Sequence, residues 1–399
     1  MDKIEELLTR GVANIIPSKE DLERVLRSGK KLRLYQGFDP TSPELHLGHL
    51  VGLKKLRQWQ DLGHEVIFLI GDFTGMVGDP TGKDKTRIPL TKEQVLENAR
   101  TYKQQASKVL RFEGENPVLI KYNSEWLAKL SAVELTRLTS YLTFQQVVER
   151  DMFQRRIEKG QDISISEFLY PFMQGYDSVA MDVDLELGGN DQLFNMMTGR
   201  DLMRKMKHKD KYVMTTPLLV DSEGRKIGKT EGNLISLINK SEDFFGKIMA
   251  LGDDILENGF EYLTSVSIKE IKKIKEDLAN TEDPLKIKKN LAFEITKEIH
   301  GEREAVKAQE HFERTVQKKE KPQVIRLQIL PSSFSSNATA SEVVMSLNSS
   351  SRSEAKRIIE QGGITIDDEI VNDPNKIFDL TSEHLLKVGK RNFIKFKKK

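Results

Sequence analysis

Two short segments, 180 residues apart, hold residue types suited to handling a triphosphate. The first, His46-Leu47-Gly48-His49, follows a breaker-rich stretch from Gly37 to Glu44 and opens an apolar run that reads as a helix. The first turn of a helix offers N–H groups and the positive end of the dipole to anionic oxygens. Gly48 lets a nucleoside approach the backbone closely. His46 and His49 can donate hydrogen bonds to oxygens whose charge grows in a transition state. The second segment, Gly224-Arg225-Lys226-Ile227-Gly228-Lys229-Thr230, is a polar loop whose glycines give mobility and whose lysines are compact cations for terminal phosphates. Closing that loop over ATP would position and neutralise pyrophosphate as it leaves. Taken singly, a turn histidine is commonly a cap and a Lys/Gly loop commonly just solvated; the pair in one chain points to nucleotidyl transfer.

A third segment, Gly71 to Lys83, follows the apolar run Val66–Ile70, and ligands of open α/β sheets sit beyond strand ends of that kind. Its composition is that of a P-loop, but the Gly-Lys-Ser/Thr spacing is absent, which disfavours a Walker-type ATPase. Asp79 is placed either to receive a ligand ammonium group or to form a plain Asp-Pro turn.

The elements that must position these segments follow from patterning. Residues 1–30 read as amphipathic helices with a turn at Pro17-Ser18, and Lys31–Gln36 as a strand running into Gly37. A helix from about Gly48 to Gln60 and a buried strand at Val66–Ile70 complete a βαβ unit. Val118–Ile120 and Val183–Leu187 read as further buried strands. The fold class expected is α/β: a Rossmann-like, doubly wound parallel-sheet catalytic domain over 1–222, then a helical domain with the lysine loop over 223–328. A linker over 329–338 and a small α+β module over 339–399 follow. In that module Ser349 to Ile359 reads as a capped basic helix carrying Arg352, Lys356 and Arg357.

Within this frame the motifs resemble those of class I aminoacyl-tRNA synthetases, and specifically the bacterial tyrosyl-tRNA synthetase family. Gly37–His49 is similar to that class's histidine signature and Lys226–Thr230 to its lysine loop. Tyr170-Pro171-Phe172-Met173-Gln174-Gly175-Tyr176-Asp177, Leu187-Gly188-Gly189-Asn190-Asp191-Gln192 and Gly78-Asp79-Pro80 make the tyrosyl match. Residues 339–399 resemble a small RNA-binding module shared with a ribosomal protein. The resemblance implies that Tyr170, Gln174 and Asp79 hold the α-ammonium group of tyrosine, with Asn123 nearby. It implies that Tyr35 and Asp177 meet the phenol hydroxyl, that Asp39 helps to bind amino acid and adenylate, and that Gln192 lies on the carboxylate side. Thr41, His46, Gly48 and His49 would contact ATP, Asp191 its ribose, and Lys226, Lys229 and Thr230 the pyrophosphate. Arg352, Lys356 and Arg357 would line tRNA(Tyr) through its backbone and shape. ATP is implied as a substrate with Mg²⁺, with no tightly bound prosthetic group and no dedicated metal site. Two departures stand out: Ile227 and Gly228 replace the commoner Met and Ser, and Asn190 replaces a small hydroxyl residue.

Bulk properties agree with this picture. The chain has 399 residues, 38% of them hydrophobic, with no cysteine, which removes disulfides, thiolate metal sites and a cysteine nucleophile and fits a cytoplasmic location. No apolar run approaches membrane-span length and no charged-then-apolar leader opens the chain. Net charge is +2, so nucleic-acid contacts need local patches. One such patch holds seven Lys or Arg and no acid from Lys387 onward. A homodimer is expected from the resemblance alone. Three rival readings are weaker. A tryptophanyl-type enzyme does not explain Tyr35 and Asp177; a small-molecule nucleotidyltransferase does not need the long C-terminal extension. A non-catalytic RNA-binding relative does not need intact His46, His49, Lys226 and Lys229.

Overall fold

The computed structural model describes residues 2–81, 89–227, 234–280, 283–317, 327–330, 334–335, 337–348, 351–389 and 392–398. The chain forms two compact units, Met1–Ala308 and Gln309–Lys399. The first is built on a six-stranded sheet of order β1-β6-β5-β2-β3-β4. These strands are β1 (Asn14–Ile16), β2 (Arg33–Phe38), β3 (Glu65–Ile70), β4 (Leu119–Tyr122), β5 (Leu185–Gly189) and β6 (Tyr212–Thr216). All neighbours run parallel except β1, which pairs antiparallel with β6 at the edge. From β2 the chain winds outward through β3 and β4, then returns to place β5 and β6 on the other flank. The strand order therefore reverses between β2 and β5, and the carboxyl ends of those two strands flank the crevice where such sheets bind ligands.

The interior strands β3 and β5 are almost wholly buried, which their near-continuous apolar sequences require. Helix Leu47–Asp61 covers the sheet through Leu50, Leu53, Leu56 and Trp59, all fully buried. Helices Ile165–Met181 and Leu193–Lys207 pack closely because Gly175 faces Gly199: a Cβ on Gly175 would fall 3.0 Å from the Gly199 nitrogen. Helices Ser241–Met249, Leu256–Leu263, Ile268–Asn280 and Leu285–His300 follow, with Pro284 capping the last. They lie in the same compact unit as the sheet.

Two expectations are corrected. The N-terminal 30 residues are not all helix and turn: Asn14–Ile16 forms the edge strand β1 between helices Lys3–Thr9 and Lys19–Arg27. Three residues carry no readable period, so only the exposed edge of β6 selects them. The described ends of the expected linker 329–338 belong to strands. Strand β7 (Leu327–Leu330) lies parallel to β13 (Asn392–Lys398), and β8 (Asn337–Thr339) lies antiparallel to β11 (Ile377–Asp379). The remaining strands of this second unit are β9 (Ile364–Ile366), β10 (Glu369–Ile370) and β12 (His384–Val388), giving the order β10-β9-β12-β13-β7. Helices Ala340–Asn348 and Arg352–Glu360 contribute Val343, Val344, Ala355 and Ile359 to its core, against Leu386 and Phe396 of the sheet.

Candidate active site

Every described residue that the motifs nominate for amino acid or nucleotide, from Tyr35 to Lys226, lines one cavity of about 270 Å³ at the β2–β5 switch point. Lys229 and Thr230 lie outside the described residues. Arg352, Lys356 and Arg357 lie in the second unit, all exposed on helix Arg352–Glu360, whose N-cap is Ser351.

The histidine signature is a helix cap. His46 Nδ1 accepts from the Gly48 N–H at 3.2 Å, and His49 Nδ1 accepts from the His46 N–H at 3.1 Å. A neutral imidazole that accepts at Nδ1 carries its proton on Nε2, so local backbone bonding makes both rings donors at that atom. The rings lie 3.9 Å apart between centroids. The backbone on either side of His46 pairs with the segment that follows the lysine loop: Leu47 N–H donates to Ile235 O and Leu237 N–H to Leu45 O, each at 2.9 Å. The loop's near arm folds back through Ile227 N–H to Leu219 O at 2.8 Å, with Gly224 turning at φ +77°. A Cβ on Gly48 would come within 3.7 Å of the Ile227 carbonyl, so the two signatures meet across that glycine. Lys226 Nζ rests 2.5 Å from Asp191 Oδ2.

Asp39, just past β2, accepts from Thr74 Oγ1 at 2.7 Å and from the Tyr170 hydroxyl at 2.8 Å. Glycine is required at Gly71, where a Cβ would collide with Asp39 Oδ1 at 2.0 Å. Asp79 accepts from Gln192 Nε2 at 2.6 Å and from Thr81 Oγ1 at 2.6 Å. Thr81 Oγ1 in turn accepts from Arg150 Nη2 at 2.9 Å. Asn123 Oδ1 accepts from the Phe73 N–H, and its amide donates to Thr74 Oγ1 at 2.9 Å. Thr41 and Gly48 line the same cavity.

Deeper in, Asp177 is 2% exposed and accepts from Trp126 Nε1 at 2.7 Å and Asn123 Nδ2 at 3.3 Å. Burial pushes its carboxyl well above the usual range; those two donors oppose the shift and nearby Glu186 and Asp39 reinforce it. Tyr35 and Asp177 do not bond each other. The Tyr35 hydroxyl lies 3.0 Å from Ser178 Oγ and 3.5 Å from the Gln174 carbonyl. Gln174 Nε2 donates to Glu186 Oε1 at 3.1 Å.

Sequence reading missed Glu186, Lys211, Ser178, Trp126 and Thr74. One signal was available: Glu186 puts a charge in the middle of an otherwise apolar central strand, Leu185–Gly189. Trp126, Thr74 and Ser178 carry no local mark, because only the fold brings them to Asp177, Asp39 and Tyr35.

This arrangement places two donor imidazoles, a lysine and a set of buried amino-acid-sized polar groups around one crevice. Residues 27–317 match the family model of tRNA synthetases class I (W and Y). The chain belongs to that family. Residues 343–383 of the synthetase match the S4 domain. Over 397 residues the synthetase is 42% identical to the tyrosine–tRNA ligase of Methylococcus capsulatus, covering 99% of both chains. It is also 42% identical to the tyrosine–tRNA ligase of Thermotoga maritima, covering 97% of this chain and 96% of the other. Among solved structures, a C-terminally truncated mitochondrial tyrosyl-tRNA synthetase of Aspergillus nidulans superposes with a TM-score of 0.65 at 25% identity. That likeness covers 77% of this synthetase and 92% of the other chain.

Proposed function

We propose that the synthetase activates tyrosine with ATP, forming tyrosyl-adenylate and pyrophosphate, and then passes tyrosine to the 3′ end of tRNA(Tyr). The observation that carries this reading is the convergence of the histidine cap, Lys226 and the Tyr35–Asp177 pocket on one cavity. In the first step the tyrosine carboxylate attacks the α-phosphate of ATP. A carboxylate nucleophile needs no general base, so the protein's work is positioning and charge stabilisation. His46 and His49, as Nε2 donors, would meet phosphate oxygens. Lys226 would leave Asp191 for the triphosphate while Asp191 takes the ribose, and Lys229 and Thr230 would follow on the same loop. Mg²⁺ enters with ATP as part of the substrate.

Asp79, Tyr170, Gln174 and Gln192 would hold the amino acid's backbone groups beside Asp39 and Asn123. Tyr35 and Asp177 would read its hydroxyl. A pocket built around a hydroxyl rejects phenylalanine because its polar groups would stay unpaired, and tyrosyl enzymes are the standing example of that rule. The exposed Arg352, Lys356 and Arg357 of the S4 domain would bind tRNA phosphates. The reading includes a cytoplasmic homodimer; among the described residues, no helix is long and apolar enough to cross a membrane. The deciding measurement is amino-acid-dependent exchange of pyrophosphate into ATP. Tyrosine should support it; equal or better exchange with tryptophan would refute the proposal.

A further inference from the structure

We infer that the buried Glu186–Lys211 ion pair sets the hydrogen-bond polarity of the amino-acid pocket and so helps to determine which side chain the pocket accepts. The inference rests on the cavity being the tyrosine site. Glu186 lies within β5 and Lys211 just ahead of β6; each is 1% exposed, and they form a direct ion pair. Removing two charges from water costs more than it returns in stability, so a pair in this position needs another reason.

Its contacts supply one. Glu186 Oε1 accepts from Gln174 Nε2 at 3.1 Å, and Oε2 accepts from Ser178 Oγ at 3.2 Å. Lys211 Nζ donates to Ser178 Oγ at 2.6 Å. An ionised carboxylate only accepts and an ammonium only donates. Gln174 must therefore turn its NH₂ toward Glu186, which leaves its carbonyl Oε1 as a buried acceptor without a protein partner at the cavity that Gln174 lines. Ser178 has a single proton, and Glu186 takes it. With Lys211 already donating to Ser178, the hydroxyl of Tyr35, 3.0 Å away, is the donor in their contact. Tyr35 thus keeps lone pairs for the cavity. One ion pair holds two readers as acceptors, both requiring a ligand N–H or O–H. An amino acid with a hydroxylated side chain supplies an N–H for Gln174 and a single O–H that Tyr35 shares with the neighbouring acceptor Asp177. The pair also depends on Gly199, where a Cβ would stand 2.6 Å from Lys211 Nζ.

Glu186 and Lys211 are positioning residues on this account. The test is the double variant Glu186→Gln with Lys211→Met, which removes both charges at nearly constant volume. A glutamine at 186 donates as well as accepts, so Gln174 and Ser178 lose their imposed orientation. In pyrophosphate exchange, the KM for tyrosine should rise and the tyrosine-over-phenylalanine ratio of kcat/KM should fall, each by about tenfold, the factor carried by a misdirected hydrogen bond. The KM for ATP should not change. In Gly199→Ala the Cβ would crowd the Lys211 ammonium at 2.6 Å, and also Ser178 Oγ at 3.1 Å and Glu186 Oε2 at 3.2 Å, while both charges stay. That variant should move the same ratio in the same direction and decides the matter if the double variant does not fold. An unchanged ratio, or equal loss for tyrosine, phenylalanine and ATP, overturns the assignment. Failure of the wild-type protein to prefer tyrosine would instead sink the functional reading beneath it.

Discussion

At the scale of single residues, the site works by committing hydrogen bonds before any ligand arrives. Backbone N–H groups occupy Nδ1 of His46 and His49, so both rings become donors at Nε2. Asp177 is committed the other way, as an acceptor already holding Trp126 and Asn123. Replacing Asp177 by Ala should therefore remove the reader and expose two orphaned donors. We predict that Asp177→Ala lowers the tyrosine-over-phenylalanine ratio of kcat/KM by about a hundredfold or more, mainly through loss on tyrosine. Side-by-side exchange kinetics with the two amino acids check this; unchanged selectivity would remove Asp177 from its role.

At the scale of elements, the helices after β4 do two jobs. Helices Ala132–Thr139, Phe144–Val148 and Asp151–Glu158 pack over Ile165–Met181 through a core of Leu138, Val147, Phe153 and Phe172, and so hold the helix that carries Tyr170, Gln174 and Asp177. The same segments expose Val133 (78%), Phe144 (64%), Ile157 (50%) and Ile165 (78%). Scattered apolar residues need no explanation, but four large ones on successive helices mark a candidate interface. We predict that these exposed residues contribute to a homodimer contact, and that Phe144→Glu with Ile165→Glu converts a dimer into a folded monomer in light scattering. A dimer that survives both charges would place the contact elsewhere. Sequence patterning assigns no helix to this stretch, and a helical period marks an apolar stripe without saying what covers it.

At the scale of the whole molecule, the two units should respond oppositely to pH. In Met1–Ala308, burial lowers His64 to about 4, with Lys31 adding to the shift. Burial likewise lowers His300 to about 4, with Lys108 adding to it. A histidine depressed in the folded state is protonated first in the unfolded chain. Stability from both is therefore full above the ordinary histidine value near 6.5 and is lost as pH falls toward 4. In Gln309–Lys399, burial alone would lower His384, but its bonds to the Asp367 carboxylate (2.6 Å) and the Asp379 carbonyl (2.7 Å) outweigh it and the net shift is upward. That contribution is full below 6.5 and is lost as pH rises through the folded value. Amide exchange followed region by region from pH 5 to 8 should show the first unit gaining protection while the C-terminal sheet loses it. Parallel slopes in both units would contradict this assignment.

The sequence by itself determined the βαβ frame, the helix capped by His46 and the two phosphate-handling signatures, because these are written in local spacing. The amino-acid-binding residues were reached only through the family resemblance, and other lining residues such as Glu186 and Thr74 were not reached at all. Breakers, caps and apolar periods act over a few residues, and the chemistry of the two signatures needs its groups on contiguous turns. Only the tertiary structure decided what those residues do to one another. That Lys226 meets Asp191, that Ser178 links Tyr35 to Glu186, and that Lys211 neutralises a charge within β5 all depend on strand order and on which helix crosses the switch point. The edge strand at Asn14–Ile16 and the strands at Leu327–Leu330 and Asn337–Thr339 escaped for the same reason. A strand of three or four residues has too little sequence to state its own period, and it exists because a partner elsewhere offers the hydrogen bonds.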